Sequence, residues 1–163
     1  MNSREVLRRV IGSTDFLVNA YLEDLTDADL FVRPAPGANH IAWQLGHLIC
    51  SEHGMMSARY PGSMPPLPQG FVERHKAETA ASDDPAAFHS KAEYLRLYKE
   101  QRAGTLANLA KVTDEELDQP APEQFRSFLE TVADLFFIQG NHALMHAGQW
   151  VIVRRKLGRK PLF

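Results

Sequence analysis

Two of the seven histidines in this 163-residue chain, His142 and His146, lie four residues apart. On a helix that spacing puts both imidazoles on one face, about 40° apart and ~6 Å along the axis. Imidazole is neutral at neutral pH and fixed in direction, so two such rings can reach one transition-metal ion. Residue 143 is Ala, so the glutamate that serves as general base in a His-Glu-x-x-His metalloprotease is absent. A polar surface pair, or two satisfied core histidines, fits the same spacing. The surroundings favour an inward pair. Leu129, Val132, Leu135, Phe136, Phe137, Ile138, Leu144, Trp150, Val151 and Ile152 make that segment strongly apolar. His47 sits mid-way along a second such segment, in Trp43-Gln44-Leu45-Gly46-His47-Leu48. If the two segments face each other, three imidazoles meet. Three ligands leave positions open on the ion, the arrangement of a catalytic rather than a structural site.

The remaining candidates carry weaker signals. His40 lies one heptad before His47, on its face but ~10 Å further along, and reads as a surface group at a helix start. His53 falls on another face and reads as ordinary. His75 and His89 fall in or beside a long loop and read as bystanders. Cys50 reads as a small buried hydrophobe, and Trp43 as core packing that also walls the space beside His47. Gln44 and Gln149 are the nearest polar side chains able to support the ligands. Arg154, Arg155, Lys156, Arg159 and Lys160 form a cationic helix end that suits the helix dipole.

Four helices have to place these residues. The first spans about 3–24, capped by Ser3, with Leu7, Val10, Ile11, Leu17, Val18 and Tyr21 at helical spacing. The second spans about 39–60, from a cap at Asn39 to the break at Pro61-Gly62. The third fits 85–111, with Asp84 as cap and Pro85 at the first helical position. The fourth starts between Glu123 and Phe128 and reaches about Leu157, before Gly158 and Pro161. No segment alternates strictly, so a sheet is not expected. The expectation is an all-α four-helix bundle. The link from 61 to 84 holds Pro61, Pro65, Pro66, Pro68 and Gly70 and is long for a compact domain. It suits a crossover that lets the second and third helices run parallel, a path of ~30 Å. A weak repeat supports this. Leu25-Thr26-Asp27-Ala28-Asp29-Leu30 after the first helix echoes Val112-Thr113-Asp114-Glu115-Glu116-Leu117 after the third. Each reads as a Thr-capped turn anchored by its leucine.

Composition narrows the class. Hydrophobic residues make up 44% and charged residues 23%, ordinary globular values for a single domain over residues 1–163. A formal charge of −2 provides no electrostatic footprint for nucleic acid. One cysteine permits no intrachain disulfide. Neither a signal peptide nor an apolar run of about 18 residues is evident, so a cytoplasmic chain with no membrane partner is expected.

The segment 39–48, the run His142-Ala143-Leu144-Met145-His146-Ala147-Gly148-Gln149 and the following Arg154-Arg155-Lys156-Leu157-Gly158 resemble the two signatures of the DinB-like (damage-inducible, YfiT-like) superfamily. The lead Arg33-Pro34-Ala35-Pro36-Gly37 matches too, and the likeness covers nearly the whole chain. It implies an up-down-down-up bundle with a long crossover between helices 2 and 3. It also implies a divalent metal on His47, His142 and His146. Zinc and nickel are the foremost metals for such a triad. The family includes thiol-dependent S-transferases and isomerases as well as metal-dependent hydrolases. The expectation is therefore a metal-dependent transferase or hydrolase acting on a small molecule, with a low-molecular-weight thiol as possible cosubstrate and a homodimer as possible state. Two rivals stand beside it: a non-catalytic metal-binding or stress-associated protein, and a purely structural bundle with incidental histidines.

Overall fold

A computed structural model describes residues 2–162 of the chain. Four long helices build it: α1 (Ser3–Leu22), α2 (Ile41–Arg59), α3 (Lys91–Leu109) and α4 (Val132–Lys156). Short helical turns fill the connections, and no strand occurs among the described residues. The long helices lie where the apolar spacing put them, but all four start signals differ. Asn2, not Ser3, caps α1, its side chain accepting from the Glu5 N–H. His40, not Asn39, caps α2, with its Nδ1 accepting from the Trp43 N–H. Asp84 caps only a single turn at Pro85–Ala87. α3 begins six residues later, where the Ser90 hydroxyl accepts from Glu93. α4 opens on a capping box between Thr131 and Asp134, later than the start expected between Glu123 and Phe128, where only a single short turn forms at Glu123–Phe125.

The direction of each helix follows from paired contacts. Gly140 of α4 sits against Val10 and Thr14 of α1, and Arg154 further along α4 meets Asp24 and the Tyr21 carbonyl. Both residue numbers rise together, so α1 and α4 are parallel. Glu52 of α2 meets Thr105 of α3 and His53 meets Gln101, while Met56 and Leu109 share one core cluster. Tyr94 and Ile41 share the other cluster, so α2 and α3 are parallel as well. Across these pairs the sense reverses. Gln44 bonds to Trp150 while Met55 meets Gln139. Asp15 meets Arg102 while Leu22 meets Lys91. The order is up, down, down, up.

The segment between α2 and α3 runs the length of the bundle. Met64 and Pro65 lie beside Gly104, His75 bonds to Tyr94, and the Ser82 carbonyl reaches His40 at the start of α2. Both Thr-capped turns form. Thr26 and Asp29 exchange side-chain and backbone bonds, as do Thr113 and Glu116. Leu30 and Leu117 are buried beneath them.

The core has two apolar clusters, one holding Trp43, Tyr94 and Trp150, the other Leu7, Met56 and Phe136. Between them a polar network crosses the bundle. Arg102 lies 3.4 Å from Glu52 and 3.1 Å from Asp15, and donates to the Tyr98 hydroxyl and the Gln139 carbonyl. Burial raises the Glu52 carboxyl above its ordinary pKa, and the Arg102 guanidinium and Thr105 hydroxyl oppose that rise. A buried charge set of this kind adds little stability over apolar packing, but removing one member leaves another unpaired.

Candidate metal centre

α2 and α4 cross antiparallel, and their seam brings three imidazoles together. His47 projects from α2, and His142 and His146 project from successive turns of α4. His142 Nε2 lies 3.1 Å from His47 Nε2 and 3.2 Å from His146 Nε2. One nitrogen from each ring falls within 4.8 Å of the others. The rings meet edge-on or tilted, with His47 and His142 nearly perpendicular at 88°. All three are half-buried.

The protonation of His146 is dictated by its neighbours. The Gln44 amide faces the Asn39 carbonyl on one side and the Trp150 indole N–H on the other. A carbonyl only accepts and an indole N–H only donates, so Nε2 of Gln44 points to Asn39 and Oε1 to Trp150. That same Oε1 lies 3.0 Å from His146 Nδ1. Nδ1 must therefore carry the proton, which leaves the His146 Nε2 lone pair bare and aimed at His142 and His47. Gln149 completes the set by accepting from Gln44 Nε2 at 3.0 Å. Both glutamines singled out in the sequence thus support the triad. Gln44 is buried and touches His146 directly, and Gln149 acts through Gln44 from the exposed side.

Three converging nitrogens are poorly satisfied by one another. A single ring proton on His142 Nε2 serves one neighbour well, not two. Burial also disfavours charging the rings. It pushes His142 and His146 down to about 4, helped by the neighbouring imidazoles, and it lowers His47. The cluster is therefore neutral and rich in lone pairs at neutral pH. Nitrogens about 2.0–2.1 Å from one ion lie about 2.9 Å apart at right angles and about 3.3 Å apart at the tetrahedral angle. The observed 3.1 and 3.2 Å fall in that interval. The donor set fits a divalent transition ion, because neutral imidazole nitrogens suit such ions whereas calcium and magnesium take oxygen donors.

The other candidates go elsewhere. His40 is fully buried rather than on the surface. Its ring packs between Phe31 and Phe88, with Nε2 at 2.9 Å from the Ser82 carbonyl. His75 is also buried. Its Nδ1 donates to the Phe71 carbonyl and its Nε2 accepts from the Tyr94 hydroxyl, each at 2.8 Å, and burial holds it at about 4. His89 stacks on Phe71 in the same group. His53 bonds to Gln101. Cys50 is half-buried, its thiol pushed up to about 12 by burial and by Glu73, so it is no nucleophile. Trp43 is buried and stacks flat on His47. The i, i+4 interval between 43 and 47 places Trp43 beside His47, as the sequence suggests, and the structure adds the stacking of the two rings.

The chain belongs to the DinB superfamily, whose profile it matches over residues 17–150. Two solved structures share its fold. A conserved protein from Enterococcus faecalis is 18% identical with a TM-score of 0.70, and the match covers 98% of this chain and 99% of that one. YfiT from Bacillus subtilis is 15% identical with a TM-score of 0.67, over 96% of this chain and 89% of YfiT. YfiT is described as a probable metal-dependent hydrolase with an unusual four-helix-bundle topology. No curated protein matches the chain. None of the helices among the described residues is long and apolar enough to cross a membrane.

Proposed function

We propose that this chain is a metal-dependent enzyme in which His47, His142 and His146 hold one divalent transition ion, zinc or nickel, with coordination positions left open. One observation carries the reading: three Nε2 atoms converge while Gln44 commits the only proton of neutral His146 to Nδ1. Bound there, such an ion lowers the pKa of a coordinated water or thiol and so supplies a nucleophile at neutral pH. The chain's own residues prepare the place. Burial keeps the imidazoles neutral, and Gln44 fixes the ring of His146. No carboxylate joins the cluster among the described residues. The chemistry therefore suits a metal-bound nucleophile rather than a side-chain dyad.

The reaction class we favour is hydrolysis, the class described as probable for YfiT, here acting on a small molecule, with transfer to a low-molecular-weight thiol as the second form of the same chemistry. A cytoplasmic protein that uses neither nucleic acid nor membrane, in one domain or as a homodimer, completes the reading. Metal content of the purified protein by mass spectrometry, alongside the His146→Ala variant, is the first test. About one ion per chain in the wild type and little in the variant is expected. Equal metal content in both would remove His146 from the site. Turnover is then screened with ester and amide substrates, and with thiols plus electrophiles. A loaded protein inert in every screen would shift the reading to non-catalytic metal binding.

A further inference from the structure

Outside the cluster, His146 has a hydrogen-bond partner on its Nδ1 that orients its ring, whereas His47 bonds only to His142 within it. The His47 Nδ1 makes no hydrogen bond among the described residues. Its ring stacks instead on Trp43, one turn earlier on α2. The two rings lie 5.0 Å apart with planes 7° from parallel. On a helix the side chain at i+4 leans back over that at i, so the stack is built by position as well as by ring chemistry. Trp43 is itself tethered. Its indole N–H faces the Lys76 carbonyl at 3.1 Å and the Thr79 hydroxyl oxygen at 3.2 Å, both on the crossover. The Thr79 hydroxyl gives its own proton to the Arg74 or Lys76 carbonyl, so its oxygen is free to accept. The crossover is fixed on either side of this point. His40 Nε2 donates to the Ser82 carbonyl, and the His75 ring fills the notch left by Gly46.

We propose that Trp43 is a positioning residue for His47, and that residues 76–79 of the crossover, acting through the indole N–H, set the angle at which that imidazole meets the ion. This rests on the metal-centre reading above. A buried indole N–H needs an acceptor whatever its role, but a tryptophan kept only for core volume would not need its ring plane within 7° of that of His47. Hydrogen-bond partners that orient metal-bound histidines commonly govern affinity by about 10–100-fold, and the stacked indole takes that orienting role for His47.

Cobalt(II) is the probe, titrated into the metal-free full-length chain and followed by its d–d absorption. The wild type is expected to saturate at one equivalent, and His146→Ala to show no saturable band. Trp43→Leu, which removes stack and tether, should bind about tenfold or more weakly, with altered band positions. Trp43→Phe, which restores a ring without the N–H, should fall between. Thermal midpoints of the metal-free variants are measured in parallel, because a merely structural role would move those and leave the cobalt spectrum unchanged. If Trp43→Leu does not fold, Trp43→Phe decides, through a several-fold weaker affinity and a shifted band. Wild-type affinity and spectrum in the folded variants would overturn this proposal alone. Absence of saturable cobalt binding by the wild type would overturn the triad reading together with it.

Discussion

Gly46 should be among the least replaceable residues of α2, for a reason that can be reversed by a second substitution. A Cβ built on Gly46 would lie 2.0 Å from Cδ2 and 2.2 Å from Nε2 of His75. Carbon atoms in comfortable contact sit about 3.5–4.0 Å apart, so the ring would have to retreat by ~1.5–2 Å. That displacement breaks both of its 2.8 Å hydrogen bonds, to the Phe71 carbonyl and the Tyr94 hydroxyl. Two bonds at about 1 kcal/mol each and overpacking at about 2 kcal/mol oppose a helix-propensity gain of about 1 kcal/mol for Ala over Gly. Gly46→Ala should therefore destabilise by about 3 kcal/mol, lowering the thermal midpoint by roughly 6–12 °C for a chain of this size. In a His75→Ala background the ring is gone, and only the propensity gain remains. The same Gly46→Ala change should there stabilise by about 0.5–1 kcal/mol. Denaturant unfolding of the four proteins in a double-mutant cycle measures both values. An equal cost in the two backgrounds would refute the argument, because it would show that something other than the His75 ring forbids a side chain at 46.

Three further outcomes are expected. Added zinc at about 100 times the dissociation constant should stabilise the wild type by ~2.7 kcal/mol, a midpoint rise of roughly 5–10 °C, and should leave His146→Ala nearly unmoved; equal shifts in calorimetry would disprove ligation by His146. Stability of the metal-free chain should fall as pH drops from 6.5 to about 4, because the unfolded chain protonates His75 near its ordinary value while burial keeps the folded residue neutral. His75 alone accounts for about 3 kcal/mol over that window, and a denaturation midpoint that is flat from pH 7 to pH 4 would contradict the buried, neutral assignment. Glu52→Ala leaves Arg102 buried without its inner partner and Thr105 without its acceptor, so a loss of about 3–5 kcal/mol is expected by urea denaturation.

The helices and the histidine pair were legible because both depend on local spacing. Leu7, Ile11, Val18 and Leu22 recur on one face of α1 and are all buried there. His142 and His146 share a face by the helical period alone. The boundaries were harder, because a cap depends on which of several polar residues takes extended backbone. Asp84 and Ser90 both carry good cap side chains, and both do cap, but only Ser90 opens a long helix. His40 was misread for a related reason. Its ring nitrogen replaces the usual Ser or Asp oxygen as the cap, and its burial comes from Phe31, Phe88 and Ser82, which lie 9, 48 and 42 residues away. No window on the sequence contains those partners.

The same long separations explain why His75 and His89 looked like bystanders. In an up-down-up-down bundle, neighbouring helices are joined by short turns and the connections stay at the ends. Here α2 and α3 run parallel, so the connection must return along the bundle, past the N-terminal half of α2. Buried backbone there needs partners, and α2 provides them: His40 for the Ser82 carbonyl and Trp43 for the Lys76 carbonyl, with Gly46 admitting the His75 ring. These three residues fall at intervals of three along one face of α2. His47 and Gln44 lie beside that face and look toward α4. One helix thus carries the crossover on one side and the triad on the other, separated by a single turn. A topology that costs a long connection places that connection against the residue that aligns His47.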